Sequence, residues 1–149
     1  MAHPIEPARG QDLEQCATLL GHLFAQEAEF RPDPAIQLQG LRRILADPAR
    51  GQLLVARDGD QVLGMVSLLW SVSTALGAPV AWLEDLVVAP ARRGRGLGRA
   101  LLAAAEALGR ERGARRITLL TDGDNLRAQA LYRAMGYRPS TMVPMRLML

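Results

Sequence analysis

The sequence contains no lysine. All 18 of its basic side chains are arginines, set against 15 acids for a formal net charge of +3. That absence excludes a P-loop, which needs GxxxxGK[ST], and equally the strand lysine of a protein kinase. Cysteine is scarce as well: Cys16 stands alone, so no intramolecular disulfide can form, and with only His3 and His22 beside it a metal cluster has no support. Aromatic residues make up 4% of the chain, and none interleaves with the arginines at 92–99 to stack bases, so a nucleic-acid partner is not expected. The N-terminal MAHPIEPARG has no apolar stretch of the kind found in signal peptides, and the expected location is cytoplasmic.

One stretch, Val62 to Leu83, carries no charge and is long enough to span a bilayer. Ser67, Ser71, Ser73, Thr74, Gly77 and Pro79 interrupt it. Two buried strands joined by a turn around Leu76 to Pro79 explain it better, so no membrane association is expected.

What the chain does contain is a core and a regular alternation of elements. Its 149 residues, 49% apolar, match one domain spanning 1–149. The patterning predicts a short strand at Ile5 and Glu6, then a helix after Asp12 with Leu13, Cys16, Ala17 and Leu20 on one face. A second helix is expected over Pro34 to Ala46, and strands over Gln52 to Arg57, Gln61 to Thr74 and Val80 to Val88. The next helix carries Leu97, Leu101, Ala104 and Leu108 at helical spacing and stops at Gly113. A strand from Arg116 to Thr121, a helix from Asn125 to Met135 and a last strand from Thr141 to Leu149 complete the series, with Pro144 placing that strand at an edge or bulge. This order implies an α/β fold with a mixed sheet covered on both faces.

The most informative segment is Leu83 to Leu101, LEDLVVAPARRGRGLGRAL. It reads as a strand running through a glycine- and arginine-rich turn into a helix. The first N–H groups of a helix lack intrahelical partners and its dipole puts partial positive charge at the same end, so this corner is an anion site. Gly94, Gly96 and Gly98 let the backbone close around a phosphate, while Arg92, Arg93, Arg95 and Arg99 add charge. The dinucleotide fingerprint GxGxxG, started at Gly94, requires glycine where Arg99 stands, and is excluded.

Arg93-Gly94-Arg95-Gly96-Leu97-Gly98 resembles [QR]-x-x-G-x-[GA], the coenzyme A pyrophosphate loop of the GNAT superfamily of N-acetyltransferases. Asn125 to Tyr132, followed by Met135-Gly136-Tyr137, is similar to the family's second signature, N-x-x-A-x-x-[LF]-Y with a trailing GF or GY. The resemblance is detailed from Leu83 to Tyr137 and coarse before that. It implies a mostly antiparallel sheet splayed between the strand ending at Val88 and the one starting near Arg116, with acetyl-CoA wedged in the gap as cosubstrate and no metal. It further implies direct transfer of the acetyl group to a primary amine, in a small molecule or a peptide, through a ternary complex. The alternative is a coenzyme-A-binding sensor or interaction module without turnover. Dimers are common in the family, which leaves a homodimer open.

Roles follow from the same resemblance. Backbone N–H groups around Arg93, Gly94, Arg95, Gly96, Leu97, Gly98 and Arg99 hold the pyrophosphate, and Leu86, Val87 and Val88 offer their backbone to the pantetheine arm. Asn125 is a helix N-cap, a polar contact to that arm, or both. Tyr132 is the expected general acid for the departing thiolate; the plainer alternative is a core tyrosine packed with Ala128 and Met135. Glu84 is the expected general base, with Asp85 as runner-up, in an LED triplet similar to that of spermidine and spermine acetyltransferases. Two carboxylates in an apolar strand need compensation, for which Arg116 is one candidate, and strand alternation sends them to opposite faces. Cys16, on an apolar helix stripe, is structural. The acceptor walls are expected between Gly21 and Ala46, where Glu27, Glu29 and Asp33 mix with Arg31, Arg42 and Arg43, and no single acceptor is selected.

Overall fold

The computed structural model describes residues 3–27 and 29–149. Among them, five strands form one sheet in the order β1-β2-β3-β4-β5. These are β1 (Ile5–Pro7), β2 (Gly51–Asp58), β3 (Gln61–Ser73), β4 (Ala78–Val88) and β5 (Ile117–Leu119). The first four pair antiparallel, and β5 lies parallel to β4. Helices α1 (Leu13–Gln26) and α2 (Pro34–Leu45) follow β1, whereas α3 (Leu97–Glu111) separates β4 from β5 and α4 (Leu126–Ala134) follows it.

Local chemistry sets these elements. Asp33 caps α2, its Oδ1 accepting from the Ile36 N–H at 3.2 Å with Pro34 in the first turn. Gln37 then fastens α2 to α1 by donating its side-chain N–H to the Ala17 carbonyl at 2.8 Å. The uncharged stretch resolves into β3 and β4, whose hairpin closes through Gly77 at φ 62°, with the Gly77 N–H donating to Ser73 O at 2.8 Å. No helix among the described residues is long and apolar enough to cross a membrane.

Two cores lie on opposite faces of the sheet. Leu13, Cys16, Leu20 and Leu41 from the first two helices meet Leu53, Val55, Met65 and Val87 on one face. Leu101, Leu102 and Ala105 of α3 cover Leu54, Leu63, Val66 and Leu68 on the other, where Leu131 and Tyr132 of α4 also pack. Both faces are therefore covered by helices.

At its buried start, α1 is anchored by charge. Arg57 of β2 holds the Asp12 carboxylate with both terminal nitrogens, at 2.6 and 2.7 Å, and its Nε donates to Glu6 at 2.6 Å.

The expected last strand is a correction. Residues 141–149 form no strand, and all are exposed. Pro139 and Pro144 remove ladder donors on either side of Thr141 to Val143, leaving too short a run to zip onto β5. The tail is instead tied by Arg146 to Glu29, at 2.8 Å. Strand β5 is also shorter than expected, because it pairs with β4 only from Ala81 to Leu83, while β4 runs on to Val88. Beyond Leu83 the two strands part, and the sheet splays where the sequence reading placed the gap.

Candidate functional site

The corner after β4 is built around two left-handed glycines. A short 3-10 turn, Pro90–Arg92, leads into Gly94 at φ 77° and Gly96 at φ 84°, and α3 starts from Gly96. A Cβ on either glycine would meet nothing within 4 Å, so backbone conformation rather than crowding requires glycine here. The first bond of α3 runs from the Ala100 N–H to Gly96 O at 3.0 Å. Among the described residues, the amides of Gly94 to Arg99 donate to no backbone or side-chain acceptor. Six adjacent N–H groups at the start of α3 are thus left without an internal acceptor, as an anion site requires.

The arginines of this corner behave differently from one another. Arg93 is held in place: its Nε donates to Val88 O at 3.1 Å. The Gln26 amide, oriented with its oxygen toward Arg93, accepts from both terminal nitrogens at 3.2 and 3.3 Å, so the end of α1 is latched to the loop. Arg92 approaches Asp58 at 3.9 Å, Arg99 reaches the Met135 sulfur at 3.4 Å, and Arg95 is exposed to solvent.

From this corner a cleft of about 630 Å³ follows the parted edge of the sheet. Arg93, Gly94, Gly96, Leu97, Gly98 and Arg99 line it, as do Leu86, Val87 and Val88 of β4. Helix α4 contributes Leu131 and Tyr132 with Asn125 at its start, and the end of α1 contributes Leu23, Gln26 and Glu27. Glu84 also lines the cleft. Of the expected catalytic and cofactor residues, Arg95 and Asp85 do not, and of the charged residues expected in the acceptor walls only Glu27 does, Glu29, Arg31, Asp33, Arg42 and Arg43 lying outside it.

Between Glu84 and Asp85 the strand does something that alternation misses. Ser67 lies opposite Asp85 and Leu68 opposite Leu83, so Glu84 is the extra residue of a β-bulge. Leu83 accordingly packs under α3, whereas Val87, in step with Asp85, packs under α1. In an unbroken strand all three would share one face. The bulge turns Glu84 to the cleft and tucks Asp85 behind it.

Asp85 is compensated by a hydroxyl rather than by Arg116. Ser67 Oγ donates to its carboxylate at 3.3 Å and accepts from its backbone N–H at 3.2 Å. Among the described residues the hydrogen bond of Arg116 to β4 is through its carbonyl, which accepts from the Ala81 N–H at 2.9 Å. Burial, then the neighbouring charge of Glu84, pushes the Asp85 carboxyl up to about 7, with Ser67 opposing and Glu27 adding to the rise.

Tyr132 stands edge-on to Tyr137, with ring centroids 5.9 Å apart. Burial, and secondarily the charge of Glu27, raises its phenol above the ordinary range, so it remains a protonated donor at neutral pH. Asn125 caps α4, its Oδ1 accepting from the Ala128 N–H at 3.2 Å. Cys16 is fully buried and its thiol is pushed up to about 12, chiefly by burial, which removes it as a nucleophile. Neither tryptophan lines the cleft: the Arg112 guanidinium lies 5.2 Å from the Trp70 ring centroid, and Trp82 is exposed.

Sequence reasoning passed over several residues of the site. Ser67 was signalled by being the polar residue inside LGMVSLLW. Asp122 and Arg127 line the cleft on either side of the N-cap of α4, with no motif to mark them. Glu27 was one acid among several in its segment.

Residues 14–137 match the family model described as the acetyltransferase (GNAT) family. The chain belongs to this family. Among curated relatives it is similar to an uncharacterized N-acetyltransferase of Bacillus subtilis, 31% identical over 84% of this chain and 85% of that one. It is also similar to an aminoglycoside N(6')-acetyltransferase type 1 of Stenotrophomonas maltophilia, at 30% identity over 75% of each chain. Among solved structures, an aminoglycoside N-acetyltransferase in complex with CoA superposes with a TM-score of 0.81, at 21% identity over 99% of this chain and 96% of that one.

The residues of this GNAT chain fit the acetyl-CoA that the family uses. Unpartnered amides and left-handed glycines suit a diphosphate, and the parted edge of β4 beyond Leu83 suits an extended arm.

Proposed function

We propose that the chain is an N-acetyltransferase domain that moves the acetyl group of acetyl-CoA directly to a primary amine within a ternary complex. The carrying observation is that one cleft joins the unpartnered amides at the start of α3 to Tyr132 and Glu84. Bound acetyl-CoA supplies the thioester, a carbon already activated toward an amine.

The amides of Gly94 to Arg99 hold the pyrophosphate, with Arg93 fixed beside them. The backbone of Leu86, Val87 and Val88 aligns the pantetheine arm, and an N–H of this strand polarises the thioester carbonyl. Glu84, directly or through a water, takes the proton of the attacking ammonium, with Asp85 behind it as a second acceptor. Tyr132 donates its proton to the departing thiolate. Asn125 orients the start of α4 and offers its amide to the arm. No side chain needs to carry the acetyl group, in keeping with an inert Cys16.

The test is release of free thiol from acetyl-CoA with a panel of amines. Release that depends on the amine, with intersecting initial-rate plots, supports the reading. Parallel plots would replace direct transfer by a covalent intermediate, and coenzyme A binding without thiol release across the panel would overturn the reading.

A further inference from the structure

The cleft is charged unevenly. Arg92, Arg93 and Arg99 line it at the corner before α3 and Asp124 and Arg127 on either side of Asn125, while Glu27 enters it from the end of α1, Glu84 from the bulge of β4 and Asp122 from the loop before α4. Glu27, Glu84 and Asp122 belong to different elements and come together only in the folded chain. Among the described residues none of them makes an ion pair, and Arg146, whose charge opposes the others at Glu27, is bridged to Glu29 at 2.8 Å. The charge of Glu27 is felt across the gap by Tyr132 and by Asp85, which places it over the reacting end of the cleft. Its own carboxyl is raised by burial and then by the charges of Asp122, Glu84 and Glu29, which outweigh the opposing charge of Arg146.

We infer that Glu27 is a specificity-determining residue selecting acceptors with a second cationic nitrogen: diamines, polyamines or multiply aminated sugars. The inference rests on the transferase reading above and names its substrate class.

The chemistry of the reaction makes a second charge the discriminating feature. An amine attacks only as the free base, so one proton leaves the ammonium for Glu84 before the N–C bond forms, and the second, leaving nitrogen as the C–S bond breaks, restores the proton that Tyr132 gives the thiolate. A monoamine regains positive charge on its nitrogen only as an oxyanion forms beside it, so the surrounding carboxylates hold its ammonium more firmly than its transition state. An acceptor with a second ammonium keeps that charge throughout. Glu27 and Asp122 then attract the transition state as strongly as the ground state, which raises kcat/KM for this class over monoamines.

The experiment measures kcat/KM for thiol release with 1,4-diaminobutane, spermidine and a diaminosugar, each against a monoamine of matched skeleton, in wild type and Glu27→Gln. At least one multiply charged acceptor is expected to lead its monoamine by about tenfold, with the lead shrinking as salt rises. Glu27→Gln is expected to shrink that lead, read as the ratio of kcat/KM between paired acceptors, to less than about threefold. Equal rates for paired acceptors in wild type, or a Glu27→Gln effect that falls alike on both, would overturn the inference and leave the transferase reading intact. Thiol release with none of these amines would overturn both.

Discussion

Ser67 and Asp85 face each other across β3 and β4 at the register shift, the hydroxyl donating to the carboxylate at 3.3 Å and accepting from the backbone at 3.2 Å. A neutral hydroxyl is a weak partner for a buried charge, and Glu84 and Glu27 add repulsion. Asp85 therefore carries a carboxyl raised from 3.8 to about 7.

A raised folded value means that the group favours folding at low pH. That contribution is complete below the unfolded value of 3.8 and is lost as pH rises to about 7. Asp85→Asn removes the ionisation while retaining a hydrogen-bonding oxygen for Ser67. The variant is expected to exceed wild type in stability at pH 8 by up to roughly 4 kcal/mol and to match it near pH 4. Denaturant midpoints at the two pH values check this; an equal difference at both would mean that packing, not charge, separates the variants.

Tyr132→Phe keeps the ring and its edge-on contact with Tyr137 while deleting the proton donor. Turnover is expected to fall about 10²-fold or more, with the coenzyme A dissociation constant within about twofold of wild type. Steady-state rates set beside calorimetric titration decide it. Matched losses in rate and affinity would assign Tyr132 a packing role.

Gly98 tests how closely ligand approaches the start of α3. A Cβ there would make ordinary contacts with Leu131 at 3.7 Å and Val88 at 3.8 Å, so the fold accepts a side chain. Gly98→Glu is expected to abolish acetyl-CoA binding by bulk and charge, while its melting temperature stays at or above that of wild type because a helical glycine is removed. Gly96→Glu is expected to lose binding as well, with lower stability from forcing a side chain to φ 84°. Retained affinity in Gly98→Glu would move the diphosphate elsewhere.

Asp12→Ala strips Arg57 of its bidentate partner and leaves it only Glu6. A buried guanidinium half-deprived of countercharge is expected to lower stability by roughly 3 kcal/mol or more. The Asp12 carboxyl is held below its ordinary range, first by the hydrogen bonds from Arg57, so its contribution is present above the unfolded value and lost as pH falls. Acid unfolding of the variant should then be shallower than that of wild type, as circular dichroism at stepped pH would show.

These residues also mark how far the sequence is legible. The glycine corner could be read in advance because contiguous residues dictate backbone conformation, and Gly94 and Gly96 take the left-handed one. The N-cap at Asn125, followed by Tyr132 in the same helix, was legible for the same reason. Glu84 and Asp85 were visible as a pair, but their orientation was not. One extra residue set against Ser67 and Leu68 decides it, and register is a property of two strands. The Asp12 and Arg57 pair, 45 residues apart, and the meeting of Glu27 with Glu84 and Asp122 depend on tertiary approach, which periodicity does not report. The tail failed for a simpler reason. Apolar residues after Thr141 look like a strand, yet a strand needs consecutive donors, and prolines interrupt them.

The parting of β4 from β5 beyond Leu83 leaves an open seam inside the molecule, walled by α1 and α4 rather than exposed on its rim. Any guest lying in that seam stands in for a missing strand, so it acts as a structural member of the sheet while it stays. By mass action, resistance to unfolding then rises with the concentration of that guest, which on the proposed function is the acetyl donor.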